Sequence, residues 1–268
     1  MKLGLAIASE KALPSAFVVF RDELAKSIRK VAELGYDGVE LALLDSSQVS
    51  LPEIKALLRQ YRLELPVIST GQVFAEAKLW LTHPDAEIRR RTVDRLKSLI
   101  DLAGEFGAMV NVGRVRGPLD PLDPNASEER FLTGIRECGE HGRRRGVRIL
   151  LEPVNRYEIN FINSVLDGLE VLKKIDDPQI FLMPDVFHMN IEDASISRSL
   201  KAAKDSIAYV HFADSNRWAP GDGHLDFADI VGTLKAIGYD GFVTLEILPC
   251  PDPDTAASRG ISYVRKLI

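Results

Sequence analysis

Short apolar runs rich in β-branched residues alternate with longer amphipathic segments from one end of the chain to the other. The runs are Leu3–Ile7, Gly38–Ala42, Leu65–Ser69, Met109–Val112, Arg148–Leu151, Ile180–Met183, Ile207–Phe212 and Phe242–Ile247. Each reads as a strand buried on both faces, because polar residues do not alternate within it. The segments between them carry apolar residues at helical spacing, as with Leu24, Ile28, Val31 and Leu34 in Asp22–Leu34. Leu51–Tyr61, Glu87–Phe106, Glu128–Arg145, Leu166–Ile175, Ser195–Ala203 and Phe227–Ile237 read similarly, and a last helix falls near Ala256–Leu267. Glycines close several of them, such as Gly35, Gly107 and Gly238, at the position where a left-handed cap ends a helix.

Doubly buried strands that alternate with helices imply a parallel sheet. Eight such units occupy 268 residues at about 33 each, with no linker or shift of composition. The expected fold is therefore α/β, a (β/α)8 TIM barrel forming a single domain over residues 1–268, with an open doubly wound sheet as the alternative. In a barrel, the irregular stretches Ala8–Phe17, Gly71–Pro84, Gly113–Asn125 and Asp214–Leu225 all follow strands. They would surround the mouth where barrel enzymes place their sites.

The balance of 39 acidic against 34 basic residues, a net charge of −5, argues against a non-specific nucleic-acid binder. Two cysteines, Cys138 and Cys250, are too few for a disulfide framework and read as free thiols. The apolar run at Met1–Ala8 is shorter than a secretory signal core, and nothing approaches the roughly 20 apolar residues of a membrane span. A cytoplasmic protein with no membrane partner is expected.

The ends of the last four strands carry the chemistry. They read Leu151-Glu152, Pro184-Asp185, Val210-His211 and Leu245-Glu246, at intervals of 33, 26 and 35 residues. Consecutive barrel strands thus present Glu, Asp, His and Glu at one mouth, where strand-end side chains converge. Three carboxylates packed together repel one another and are costly to bury, and a divalent cation resolves both problems. Three oxygen donors and one imidazole suit Mn2+, Mg2+ or Co2+ better than a thiolate-seeking metal. The bland alternative is four unrelated polar residues capping strand ends.

The segments Leu151-Glu152-Pro153-Val154-Asn155-Arg156-Tyr157-Glu158 and Asp185-Val186-Phe187-His188-Met189-Asn190-Ile191-Glu192 closely resemble motifs of the ketose 3-epimerases. This is the D-tagatose and D-psicose (allulose) 3-epimerase group of the xylose isomerase-like barrels. His211–Phe227, with Asn216-Arg217, and Gly238–Glu246 are similar to that group too, and the resemblance is densest over residues 150–246. Pro184, Val186 and Ala213-Asp214 depart from the usual motifs and bear on the choice of sugar.

The resemblance implies that Glu152, Asp185, His211 and Glu246 hold one metal, Mn2+ first among the candidates. It also implies that Glu152 and Glu246 form the acid–base pair, and that Glu158, His188 and Arg217 contact a small sugar substrate. Read as residues alone, Glu158 is equally a solvated loop carboxylate, His188 a packed loop histidine and Arg217 a surface arginine. The expected activity is inversion at C3 of a free ketose through an enediolate, in an assembly of two or four copies.

The alternatives are a sugar-phosphate epimerase, with Arg114 and Arg116 as phosphate ligands, an aldose–ketose isomerase, a hydroxypyruvate isomerase, an inosose dehydratase and a non-catalytic sugar-binding barrel. A three-metal repair endonuclease of the same superfamily needs histidines after strands three and four. The chain has Ser69-Thr70-Gly71 and Val112-Gly113-Arg114 there. Trp80, Phe74 and Trp218 are candidate pocket aromatics or loop packing. His83 and His224 read as structural, Asp226 as a helix cap and His141 as part of a solvated helix face.

Overall fold

The computed structural model describes residues 1–13 and 17–268. The principal strands are β1 (Lys2–Ala8), β2 (Gly38–Ala42), β3 (Val67–Ser69), β4 (Met109–Val112), β5 (Ile149–Leu151), β6 (Ile180–Leu182), β7 (Val210–Phe212) and β8 (Phe242–Leu245). All pair in parallel, in the order β6-β5-β4-β3-β2-β1-β8-β7. The longest strand, β1, sits between β2, where Gly4 faces Gly38, and β8, where Leu5 faces Leu245.

The remaining gap, between β6 and β7, is closed by parallel bridges at Leu182–Ile207 and Asp185–His211. Backbone bonds from Leu182 N–H to the Ser206 carbonyl (2.7 Å) and from His211 N–H to the Pro184 carbonyl (2.9 Å) complete the ring. The sheet is therefore a closed barrel, and the open doubly wound alternative is excluded. Val67, Leu150, Met183, Tyr209 and Phe242 come from around the ring and pack on one another, which only the barrel interior permits. The larger apolar cluster lies between the sheet and its jacket of helices.

The expected helices form at nearly the expected places. Asp123 caps the helix Pro124–Arg145, which starts four residues earlier than the apolar periodicity indicates because Pro124 is suited to the first helical position. Ser164 caps Val165–Ile175 through a reciprocal box with Asp167, and Asp226 caps Phe227–Ala236 as expected. Gly35, Gly107 and Gly238 have the positive φ expected of helix-terminating glycines.

Three short elements were not apparent from periodicity. A two-residue strand, Phe20–Arg21, pairs with the end of β1 and returns the Ala8–Phe17 loop to the sheet. Within that loop, residues 14–16 lie outside the described residues. The helices Gly71–Ala75 and Val186–Glu192 are too short to show a helical period.

Candidate metal centre and active site

The closed ring aims the ends of β5 to β8 at one another. Glu152, Asp185, His211 and Glu246 each offer a ligand atom, and these atoms all lie within 4.8 Å of one another. The first three are buried and Glu246 is half-buried. His211 Nδ1 stands 3.7 Å from Glu152 Oε1 and 3.9 Å from Glu246 Oε2. Asp185 Oδ1 caps the helix Val186–Glu192 by accepting from Phe187 N–H at 2.9 Å, leaving Oδ2 for the site. Among the described residues, the buried atoms Asp185 Oδ2 and His211 Nδ1 have no hydrogen-bond partner, Asp185 Oδ2 having only an ion-pair contact with the Arg217 guanidinium. Buried polar atoms are seldom left in that state. Two such atoms between two further carboxylates, all hard donors apart from one imidazole, fit a divalent cation.

Electrostatics sets the carboxylates apart. Burial pushes Glu246 up to about 8 and Asp185 up to about 6, in both cases against the attraction of Arg217. Burial also opposes ionisation of Glu152, but the neighbouring His211, His188 and Asn111 outweigh it and lower its pKa. Glu152 Oε2 accepts from Asn111 Nδ2 at 2.8 Å, so one oxygen is fixed on β4 while Oε1 faces His211.

All three expected substrate contacts reach the same pocket, which has a volume of about 370 Å³ including its open mouth. Its walls include Phe17, Asn111, Glu152, Glu158, His188, Arg217 and Glu246. Glu158 is not a free loop carboxylate. Its Oε2 lies 3.4 Å from Arg114 Nη1, and its Oε1 accepts from Asn155 Nδ2 at 3.1 Å. His188 is buried on the helix Val186–Glu192, where burial holds its pKa well below the ordinary value and keeps the ring neutral. Asn155 Nδ2 lies 2.7 Å from its Nδ1. Arg217 Nη1, which can only donate, lies 3.3 Å from Nε2, so both ring nitrogens face donor groups of the protein.

Arg217 is buried, not a surface arginine. Its guanidinium is bracketed by the rings of Phe17 at 4.4 Å and Phe187 at 4.7 Å. It pairs with Glu246 and, at 3.3 Å, with Asp185 Oδ2. The residue takes a left-handed φ of 61°, held by bonds to the Asp214 carbonyl and from Leu248 N–H. Asp214, fully buried, accepts from Ser215, Gly221 and Leu225 N–H groups and so fixes the whole loop after β7.

Arg116 is not a phosphate ligand. It is fully buried and donates to the carbonyls of Gly113 (2.7 Å), Glu152 (2.8 Å), Phe161 (2.8 Å) and Ile162 (2.9 Å). Phe74 and Trp80 pack on each other rather than lining the pocket, and Phe17 is the aromatic that does. His141 is paired with Asp101 at 2.8 Å between two helices and is not freely solvated. Sequence reasoning missed Asn111, Phe17 and Phe187 as parts of the site. It also missed Glu40, which lies 2.8 Å from His211 Nε2. Glu40 and Asn111 did leave a signal, as lone polar residues inside apolar strands.

The family described as a xylose isomerase-like TIM barrel matches residues 28–267. The L-ribulose 3-epimerase of Methylomonas sp. is 32% identical over 245 residues, 90% of this chain and 84% of that protein. The D-psicose 3-epimerase of Ruminiclostridium cellulolyticum is 32% identical over 231 residues, 82% of this chain and 76% of that protein. The solved structure of a D-allulose 3-epimerase from Methylomonas sp. superposes with a TM-score of 0.84 at 26% identity, covering 100% of this chain and 98% of that one.

Proposed function

The chain belongs to the xylose isomerase-like TIM barrel family, and from that premise we propose that it is a metal-dependent epimerase inverting C3 of a free ketose. The observation that carries this reading is the placing of Glu152 and Glu246 in one pocket, each beside His211. Glu152, Asp185, His211 and Glu246 would hold the ion, Mn2+ first because an imidazole stands among the carboxylates, with Mg2+ or Co2+ as alternatives. A divalent cation there supplies Lewis-acid polarisation of the ketose carbonyl.

One glutamate takes the C3 proton, the C–H electron pair becomes the C2–C3 double bond, and the carbonyl π pair moves onto the C2 oxygen to give an enediolate. The other glutamate returns a proton to the opposite face, which inverts C3. Neutral His188 contacts a sugar oxygen, the guanidinium of Arg217 donates to another, and Glu158 accepts from a sugar hydroxyl. A free sugar is favoured over a phosphorylated one because Arg116 is committed to four carbonyls and Arg114 faces Glu158. One domain, a cytoplasmic location and assembly into dimers or tetramers complete the proposal. Among the described residues, no helix is long and apolar enough to cross a membrane.

The test is a panel of D-fructose, D-tagatose, D-allulose and L-ribulose incubated with metal-loaded protein in D2O. The expected result is deuterium at C3 of a C3-inverted product. Exchange confined to C1 or C2, giving an aldose, would move the reading to an aldose–ketose isomerase. A phosphorylated sugar turned over far faster would sink the free-ketose preference.

Gly113 offers a finer test. A Cβ there would lie 2.5 Å from Glu152 Oε2. The carboxylate is the far end of a flexible side chain, so it can swing aside at the cost of its bond from Asn111 Nδ2, about 1 kcal/mol. Gly113→Ala should therefore keep the wild-type Tm within a few degrees, yet lower kcat on the order of 10–100-fold by displacing Glu152. Unchanged kcat would show that the exact seat of Glu152 does not matter.

A further inference from the structure

Glu40 is a fully buried carboxylate in the middle of β2, a strand buried along its whole length as Gly-Val-Glu-Leu-Ala. Its Oε2 lies 2.8 Å from His211 Nε2, and its Oε1 has no hydrogen-bond partner among the described residues. A buried carboxylate is costly where an apolar residue would pack the same strand, so stability alone does not account for it. A carboxylate can only accept, and His211 must therefore carry its hydrogen on Nε2. Once the ring is neutral, as a cation ligand must be, its lone pair sits on Nδ1, on the side facing Glu152 Oε1 and Glu246 Oε2. The ring is further held edge-on against Tyr209, at 5.7 Å between centroids.

We propose that Glu40 is a positioning residue for the metal centre, fixing the Nε2–H tautomer of His211 and aiming an electron-rich Nδ1 at the ion. The inference rests on the reading of the four donors as a metal site. It goes beyond that reading by giving a role to a residue that touches neither ion nor sugar. A carboxylate behind a ligating imidazole fixes ring orientation and strengthens the donor, and losing one typically weakens metal binding 10–100-fold.

The experiment titrates Co2+ into metal-free wild type, Glu40→Gln and Glu40→Met, followed by calorimetry and by the visible d–d bands. Glutamine keeps an oxygen that accepts from Nε2–H but loses the charge, whereas methionine loses both. The expected order of Co2+ affinity is wild type, then Gln, then Met, with the last weaker by 10–100-fold and its d–d bands displaced. Folded variants that match wild type in affinity and spectrum would overturn the inference while leaving the metal site standing. A wild type that binds no Co2+ would instead remove the metal reading itself, and this inference with it.

A second measurement stands if neither variant folds. In Zn2+-loaded wild type, 15N NMR of the histidine rings should place the His211 hydrogen on Nε2. A hydrogen on Nδ1 would overturn the assignment.

Discussion

Glu152→Gln and Glu246→Gln should each lower kcat for C3 inversion by roughly 10²–10⁴-fold, the usual worth of a positioned acid or base. Glutamine keeps the size of each side chain and an oxygen able to accept from Asn111 or Arg217. The loss is then one of proton transfer rather than of packing. Each glutamate is also proposed as a metal ligand, so metal content has to be measured alongside turnover.

Deuterium exchange separates the two roles. With one base removed, the other still reaches the C3–H of the epimer that presents its proton on that side. Glu152→Gln should therefore exchange C3 hydrogen without inversion in one epimer, and Glu246→Gln should do so in the other. Metal-loaded variants inverting C3 within tenfold of wild type would take that residue out of the pair.

Arg116→Met should destabilise the protein by roughly 3–5 kcal/mol, since four buried carbonyls lose their donor at about 1–3 kcal/mol each and the removal of a buried charge offsets part of that. Replacing a buried ion pair by apolar residues can be neutral, because both charges leave together. That escape is closed here, since the partners of Arg116 are backbone carbonyls of Gly113, Glu152, Phe161 and Ile162, which no substitution removes. Methionine fills the stem's volume, and four buried acceptors lose their donor. Although burial pulls the Arg116 pKa down to about 9, the group stays charged at neutral pH. A drop in Tm on the order of 10 °C in a thermal melt is expected for a chain of this size. A shift below about 2 °C would mean that water or rearranged loops satisfy the carbonyls.

The barrel was legible because its strands are buried on both faces. Apolar runs such as Leu3–Ile7 and Gly38–Ala42 stand out against amphipathic helices whatever the final register. The clustering of four donors was legible for a related reason, since Glu152, Asp185, His211 and Glu246 recur at one place in each repeat. Arg116 and Arg114 show the limit. Two residues apart on one turn, they read alike in sequence, yet one is sealed among carbonyls and the other faces the pocket. Which way each points depends on how the loop after β4 meets the loop after β5, a contact no local pattern encodes. Val186–Glu192 escaped notice because about two turns of helix are set by the Asp185 cap rather than by periodicity. Glu40 was visible as an oddity, but its partner is 171 positions away on a strand that is not its neighbour.

That separation bears on the order in which the molecule assembles. The four donors all belong to β5–β8, a contiguous stretch of chain, whereas the carboxylate behind His211 comes from β2. Long-range contacts are the slow and entropically expensive part of folding. A chain deprived of its first two strands would keep every donor and still lack the group that orients the imidazole. The Glu40–His211 bond forms only when the first quarter of the chain meets the last, which makes full coordinating strength a report that the ring has closed.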